Sequence, residues 1–135
     1  MKFQFAALAV VLFFSGASLA CRRRWQPIEK AAPFAKISAQ ELFQEYKADR
    51  SAASKKFQDK ILEVTGVVER AGTDFGGNPY VNLKGEDAQG GVQCFFSKKY
   101  GEQASQFRTG QALTVKGRCT VFVINALLEE CVIVQ

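Results

Sequence analysis

Ile61-Leu62-Glu63-Val64-Thr65-Gly66-Val67-Val68-Glu69-Arg70 is rich in β-branched residues, alternates in character and holds one glycine in mid-run. A partial echo, Leu113-Thr114-Val115-Lys116-Gly117-Arg118, follows later in the chain. Both runs carry Val-x-Gly inside an alternating strand. Glycine within a strand marks a tight bend, a bulge or a close approach of backbones, as at the corner of a small barrel. Two such strands in one short chain predict a sheet that curls onto itself. Alternation places Leu62, Val64, Gly66 and Val68 on one side of the first strand.

Outward from that stretch the remaining elements follow. Ser38-Ala39-Gln40-Glu41 has the spacing of a capping box, and Leu42, Phe43 and Tyr46 recur at helical spacing, so a helix is predicted from Ala39 to Arg50. A second helical turn or two is expected over residues 51–57. Ala71 to Pro79 is dense in turn residues and reads as a loop. Tyr80-Val81-Asn82-Leu83 and Gly91-Val92-Gln93-Cys94-Phe95-Phe96 read as the second and third strands, with Val92, Cys94 and Phe96 on one face. Tyr100 to Phe107 suggests a short helix, Ala112 to Phe122 the fourth strand and Leu127 to Val134 the fifth. A mainly β chain with a leading α-helix, five strands and a short helix after the third strand has the layout of an OB-fold, a small Greek-key barrel.

The chain has 135 residues, enough for one domain and a processed leader. Residues 1–20 have the form of a signal peptide: Lys2, an apolar run to Phe14, then small residues ending at Ala20. Ser18-Leu19-Ala20 fits ordinary signal peptidase cleavage. Ala20-Cys21 resembles a lipobox, although Ser18 stands where leucine is usual, and the position of the cysteine favours lipidation at Cys21. Residues 21–37, with Arg22-Arg23-Arg24-Trp25, Pro27 and Pro33, read as a basic, proline-containing tether between a membrane lipid anchor and the domain at 38–135. The expected location is the cell envelope, with a soluble periplasmic or secreted domain as the alternative.

Charge and composition narrow the chemistry. The formal net charge is +5, which becomes +4 without the leader and its Lys2. There is no histidine and no Cys-x-x-Cys pair. The commonest general base and the usual metal-ligand spacings are therefore missing, and no enzyme, metal or cofactor is expected. Glu129 and Glu130 are adjacent, and in a regular strand they would face opposite sides and share no reacting centre. Cys94, Cys119 and Cys131 lie in predicted strands. Cys119–Cys131 and Cys94–Cys131 disulfides are both open, as are three buried thiols.

In order and spacing, the segments Ser38 to Leu42, Phe57 to Val68, Gly91 to Phe96, Gly110 to Thr120 and Glu130 to Ile133 resemble the tRNA-anticodon-binding-like (tRNA_anti-like) family of exported bacterial OB-fold proteins. That resemblance implies the fold and an envelope location, and no reaction. Ligand positions of an OB-fold map to Phe75, Asn78, Tyr80, Asn82, Gln93 and Phe95, with Asp74 and Asn125 nearby and Lys84, Lys98 and Lys99 supplying charge. The simpler reading packs Tyr80 and Phe95 beneath the leading helix and sets Phe75 over the barrel end. With no basic stripe among these aromatics, a non-catalytic binding module for an envelope protein or an anionic glycan is favoured. Single-stranded nucleic acid is the alternative.

Overall fold

The computed structural model describes residues 27–86 and 90–134. Strand β1 (Ala35–Ser38) leads into helices α1 (Ala39–Ala48) and α2 (Arg50–Phe57), followed by strands β2 (Ile61–Thr73), β3 (Pro79–Lys84) and β4 (Gly91–Phe96). Helix α3 (Gly101–Ser105) precedes strands β5 (Ala112–Phe122) and β6 (Ala126–Ile133). The hydrogen-bonded order is β1-β2-β3-β4-β6-β5, and β2 pairs again with β5. That second pairing closes the five strands β2 to β6 into an OB-fold barrel, as the sequence predicts.

Closure depends on β2 changing partner along its length. Ile61 to Val67 pair antiparallel with β5, and Val68 to Thr73 pair with β3. Gly66 lies at the handover, where a Cβ would fall 2.9 Å from Ala39 Cβ and 3.2 Å from Leu83 Cβ. Any side chain there would push α1 and β3 off the strand. The core follows the predicted alternation at Leu62, Val64, Val68, Val92, Cys94 and Phe96, all buried, and Val81 and Leu83 of β3 join them.

The ends of the barrel are filled by the helices. At the end where β3 returns as β4 and β5 as β6, Leu42, Phe43 and Tyr46 of α1 are buried. Tyr46 stacks on Phe122 with ring centroids 4.8 Å apart. The guanidinium of Arg50 lies over the Phe122 ring at 5.3 Å and donates to the Phe122 carbonyl. At the opposite end α3 packs beside Pro79 and buries Ala104.

Several boundaries differ from the sequence reading. The leading helix stops at Ala48 because Asp49 turns extended and caps α2, its side chain accepting from Ala52 N at 3.0 Å. β2 runs to Thr73, so the loop shrinks to residues 74–78. Residues 28–37 are packed structure rather than tether. β1 pairs parallel with β2, Ile28 is buried, and Lys116 Nζ donates to the carbonyls of Glu29 (3.0 Å) and Ala31 (2.9 Å). Tyr100 Oη also donates to Glu29 Oε1 at 3.1 Å. A residue-by-residue apolar period cannot reveal a four-residue strand that borrows its partner from β2.

The turn joining β3 to β4 is the tightest steric point. A Cβ on Gly91 would fall 2.0 Å from the Leu83 carbonyl oxygen and 2.6 Å from Gly85 N, both backbone atoms. Gly91→Ala is therefore expected to lower unfolding stability by about 3 kcal/mol or more, as overpacking against fixed atoms does. Ser38→Ala, which removes only the capping box (Glu41 N to Ser38 Oγ, 3.1 Å), should cost about 1 kcal/mol. Urea unfolding of the two variants measures the contrast, and equal costs would contradict the close backbone approach at Gly91.

Candidate binding face

The outer surface of β3 and β4 carries two rows of side chains running across the strands. Because Val81, Leu83, Cys94 and Phe96 point into the barrel, Tyr80, Asn82, Gln93 and Phe95 point out. Pairing sets Tyr80 opposite Phe95 and Asn82 opposite Gln93. The first row is Gly72, Tyr80 and Phe95; the second is Arg70, Asn82, Gln93 and Leu127.

Tyr80 and Phe95 form a tilted ring pair, centroids 6.1 Å apart and planes at 56°. Gly72 makes room for the tyrosine: a Cβ there would stand 3.0 Å from Tyr80 Oη and 3.1 Å from Cζ. The ring therefore lies across the strand instead of standing off it. In the other row Asn82 Oδ1 is buried without a hydrogen-bond partner among the described residues. An acceptor left this way costs on the order of 1–3 kcal/mol until a donor reaches it.

Arg70 joins the face through an irregularity that strict alternation does not foresee. Between Val68 and Arg70, β2 advances two residues while β3 advances one. The bulge reverses the facing of everything beyond it, so Arg70 and Gly72 turn outward and Ala71 inward. Lys84, one place past buried Leu83 and opposite Gly91, adds a second exposed cation on the same side.

A second bulge corrects the reading of the glutamates. β6 advances three residues from Leu128 to Cys131 while β4 advances two, and Glu130 takes a left-handed φ of 55°. Glu129 and Glu130 are consequently both exposed. They line one groove of about 370 Å³ with Asp74, Asn78, Phe95 and Ser97. Arg118 Nε meets Glu130 Oε2 at 3.4 Å.

The loop between β2 and β3 is built on Asp74. Its Oδ1 accepts from Gly76 N (2.9 Å), Asn78 N (2.8 Å) and Asn78 Nδ2 (3.2 Å), and Oδ2 accepts from Asn78 Nδ2 at 3.1 Å. Hydrogen bonds from the Asn78 backbone and side chain, then from Gly76, hold the Asp74 carboxyl below the ordinary aspartate range. Asn78, which the sequence reading places among the ligand contacts, is thus committed to the loop. Phe75 does not cap the barrel; it stands fully exposed at the loop's tip. Nor do Tyr80 and Phe95 lie beneath α1, since that helix sits over the end of the barrel and their strand parity turns them away.

Of the remaining expected positions, Lys99 is tied to Glu29 at 3.6 Å, and Asn125 Oδ1 accepts from Gly91 N at 2.9 Å at the far end of the barrel. Cys94, Cys119 and Cys131 are buried free thiols, remote from the outer face. Cys21, the signal sequence and the arginine run lie outside the described residues. Among the described residues no cluster of His, Cys, Asp or Glu suits a metal ion, and no helix is long and apolar enough to cross a membrane.

Comparison with known proteins identifies the family and the fold. The family model of the tRNA_anti-like family matches residues 2–132. Among solved structures, a lipoprotein of Klebsiella pneumoniae subsp. pneumoniae, provisionally described as nucleic acid-binding, superposes with a TM-score of 0.60 at 17% identity, over 74% of this chain and 91% of that one. An asparaginyl-tRNA synthetase of Entamoeba histolytica gives a TM-score of 0.46 at 15% identity over 76% of this chain. An aspartyl-tRNA synthetase assigned in Leishmania major gives 0.44 at 15% identity over 74%. The chain spans only 24% and 20% of those two enzymes, and nothing below is built on them. No curated protein matches.

The Asp74 turn should respond to acid. Its folded pKa is depressed, so its hydrogen bonds are fully present above the ordinary aspartate pKa of about 3.9 and are lost as pH falls through the lower folded value. The amide resonances of Gly76 and Asn78 should shift together, with a midpoint below that of an unstructured aspartate. Asp74→Ala should abolish the transition. A midpoint at the ordinary value would show that the turn is not organised by this carboxylate.

Proposed function

Because the chain belongs to the tRNA_anti-like family, we propose that the outer face of β3 and β4 binds single-stranded nucleic acid without catalysing a reaction. The observation that carries this reading is the pair of cross-strand rows, one aromatic and one of cation, amide, amide and apolar side chain. Bases stack on Tyr80 and Phe95, and such stacking contributes about 1–3 kcal/mol per base. Asn82 and Gln93 offer donors and acceptors to base edges.

The charge layout gives the strand a path. Arg70 and Lys84 lie on the β2–β3 side, whereas Glu129, Glu130 and Asp74 line the groove beyond Phe95. A polyanion therefore keeps its phosphates along Arg70 and Lys84 and turns its bases toward the aromatic row. Arg70 is the cation missing when the sequence alone favoured a protein or glycan ligand, and its placement on the face shifts the preference. The nucleic-acid description attached to the Klebsiella protein is in line with the same reading. The upstream segment suits export and lipidation at Cys21, which would hold this face in the cell envelope.

Fluorescence anisotropy with a labelled oligothymidylate at low salt should give a dissociation constant in the micromolar range. Tyr80→Ala and Phe95→Ala should each weaken binding by roughly 5- to 100-fold, the equivalent of losing one stacked base. Arg70→Ala should reduce the slope of log affinity against log salt by about 0.7, the value for one phosphate contact on a single strand. Absence of micromolar binding at low salt would remove the nucleic-acid reading and return the face to an envelope protein or an anionic glycan.

Anchoring is separately testable. Cells given a clickable fatty acid should label the wild-type protein and leave Cys21→Ala unlabelled. An unlabelled wild type would mean a soluble exported domain instead.

A further inference from the structure

Three buried thiols sit in the core, apart from the binding face, and they are not equivalent. Cys119 Sγ meets the Tyr46 hydroxyl at 3.3 Å, between β5 and α1. Cys131 lies beside Cys94 of the neighbouring parallel strand, and burial together with the nearby Cys94 thiol pushes the Cys131 thiol up. Both of these residues have 0% exposure.

Strand parity explains the second pair. Leu128 points inward opposite Cys94, and regular alternation would then turn Cys131 outward. The extra residue at Glu130 reverses this, bringing Cys131 inside at the level of Phe96 and against Cys94. Gly117 on β5 leaves the space that the sulfur occupies, because a Cβ there would fall 2.5 Å from Cys131 Sγ. The two-sulfur contact therefore rests on a bulge, a glycine and a parallel strand pair that all converge on it.

We propose that Cys94 and Cys131 close into a disulfide between β4 and β6 when the chain folds in the presence of a disulfide oxidant, leaving Cys119 as a thiol held by Tyr46. The thiolate of one cysteine attacks a sulfur of a small disulfide such as oxidised glutathione, expelling one glutathione thiolate. The thiolate of the other then displaces the second glutathione from the mixed disulfide. The two protein sulfurs lose two electrons, the glutathione disulfide gains them, and the two protons pass to the two glutathione thiols. Burial pushes the Cys131 thiol up, so attack is fastest before the barrel closes around it. The pairing is a property of the fold and does not depend on what the outer face binds.

The test uses the full chain, reduced in denaturant, refolded with reduced and oxidised glutathione, then alkylated. Trypsin with a glutamate-specific protease separates all four cysteines, since cleavage after Glu129 or Glu130 parts Cys119 from Cys131. Mass spectrometry should find the Cys94 peptide joined to the Cys131 peptide and Cys119 alkylated. Alkylation of both Cys94 and Cys131, or linkage of either to Cys119 or Cys21, overturns the proposal. Dithiothreitol should also lower the melting temperature of the oxidised wild type and of Cys119→Ser by about 10 °C or more. Cys94→Ser and Cys131→Ser should not respond to it. If either variant fails to fold, the peptide map of the wild type still decides.

Discussion

A single strand that must serve two neighbours governs this molecule. β2 spends its first half on β5 and its second on β3, and only a chain that bends sharply between Val67 and Val68 can do both. Gly66, at the handover, lets Ala39 approach the backbone to a distance a side chain would not tolerate and Leu83 to a tight one. Closure removes the free edges that a five-stranded open sheet would leave, apart from the short β1. It also traps Leu62, Val64 and Val68 in one core with residues from all four other barrel strands. Helix, loop and face positions are downstream of that bend.

Two of the barrel's bulges, one in β2 and one in β6, give it a differentiated surface. Each adds one residue to one strand and so reverses which side chains face water beyond it. In β2 the reversal delivers Arg70 to the outer face and lays Gly72 beneath Tyr80. In β6 it exposes both glutamates and turns Cys131 toward Cys94. The acidic and basic margins of the face are consequences of the same local device, applied on strands that lie on opposite sides of the β3–β4 pair.

That device also explains what could be read from the residues alone. Period-two alternation reported the inward faces of β2 and β4 correctly, because Leu62 to Val68 and Val92 to Phe96 each lie within an unbroken run. Tyr80, Asn82, Gln93 and Phe95 were grouped by mapping the ligand positions of an OB-fold, while the simpler reading set Tyr80 and Phe95 beneath the leading helix. Alternation missed Arg70 and treated Glu129 and Glu130 as opposed, since a bulge has no signature when its extra residue is not glycine; Glu130 adopts the left-handed conformation with a full side chain. The engagement of Asn78 with Asp74 is a matter of local chemistry rather than parity. An asparagine four residues after an aspartate in a glycine-rich turn bonds to that aspartate before any ligand arrives.

The division of labour across the face follows from these placements. Two cations on one side cannot hold a long polyanion by charge alone, particularly with three carboxylates lining the groove beyond Phe95. Affinity must therefore come chiefly from the aromatic row, whose energy is insensitive to salt, with Arg70 and Lys84 setting the direction in which a strand lies. The acidic groove would contribute by exclusion: a phosphate entering it would meet Glu129 and Glu130, the latter paired with Arg118. On the proposed reading the face would take a short segment of bases rather than a continuous strand, a scale set by two rings and two amides.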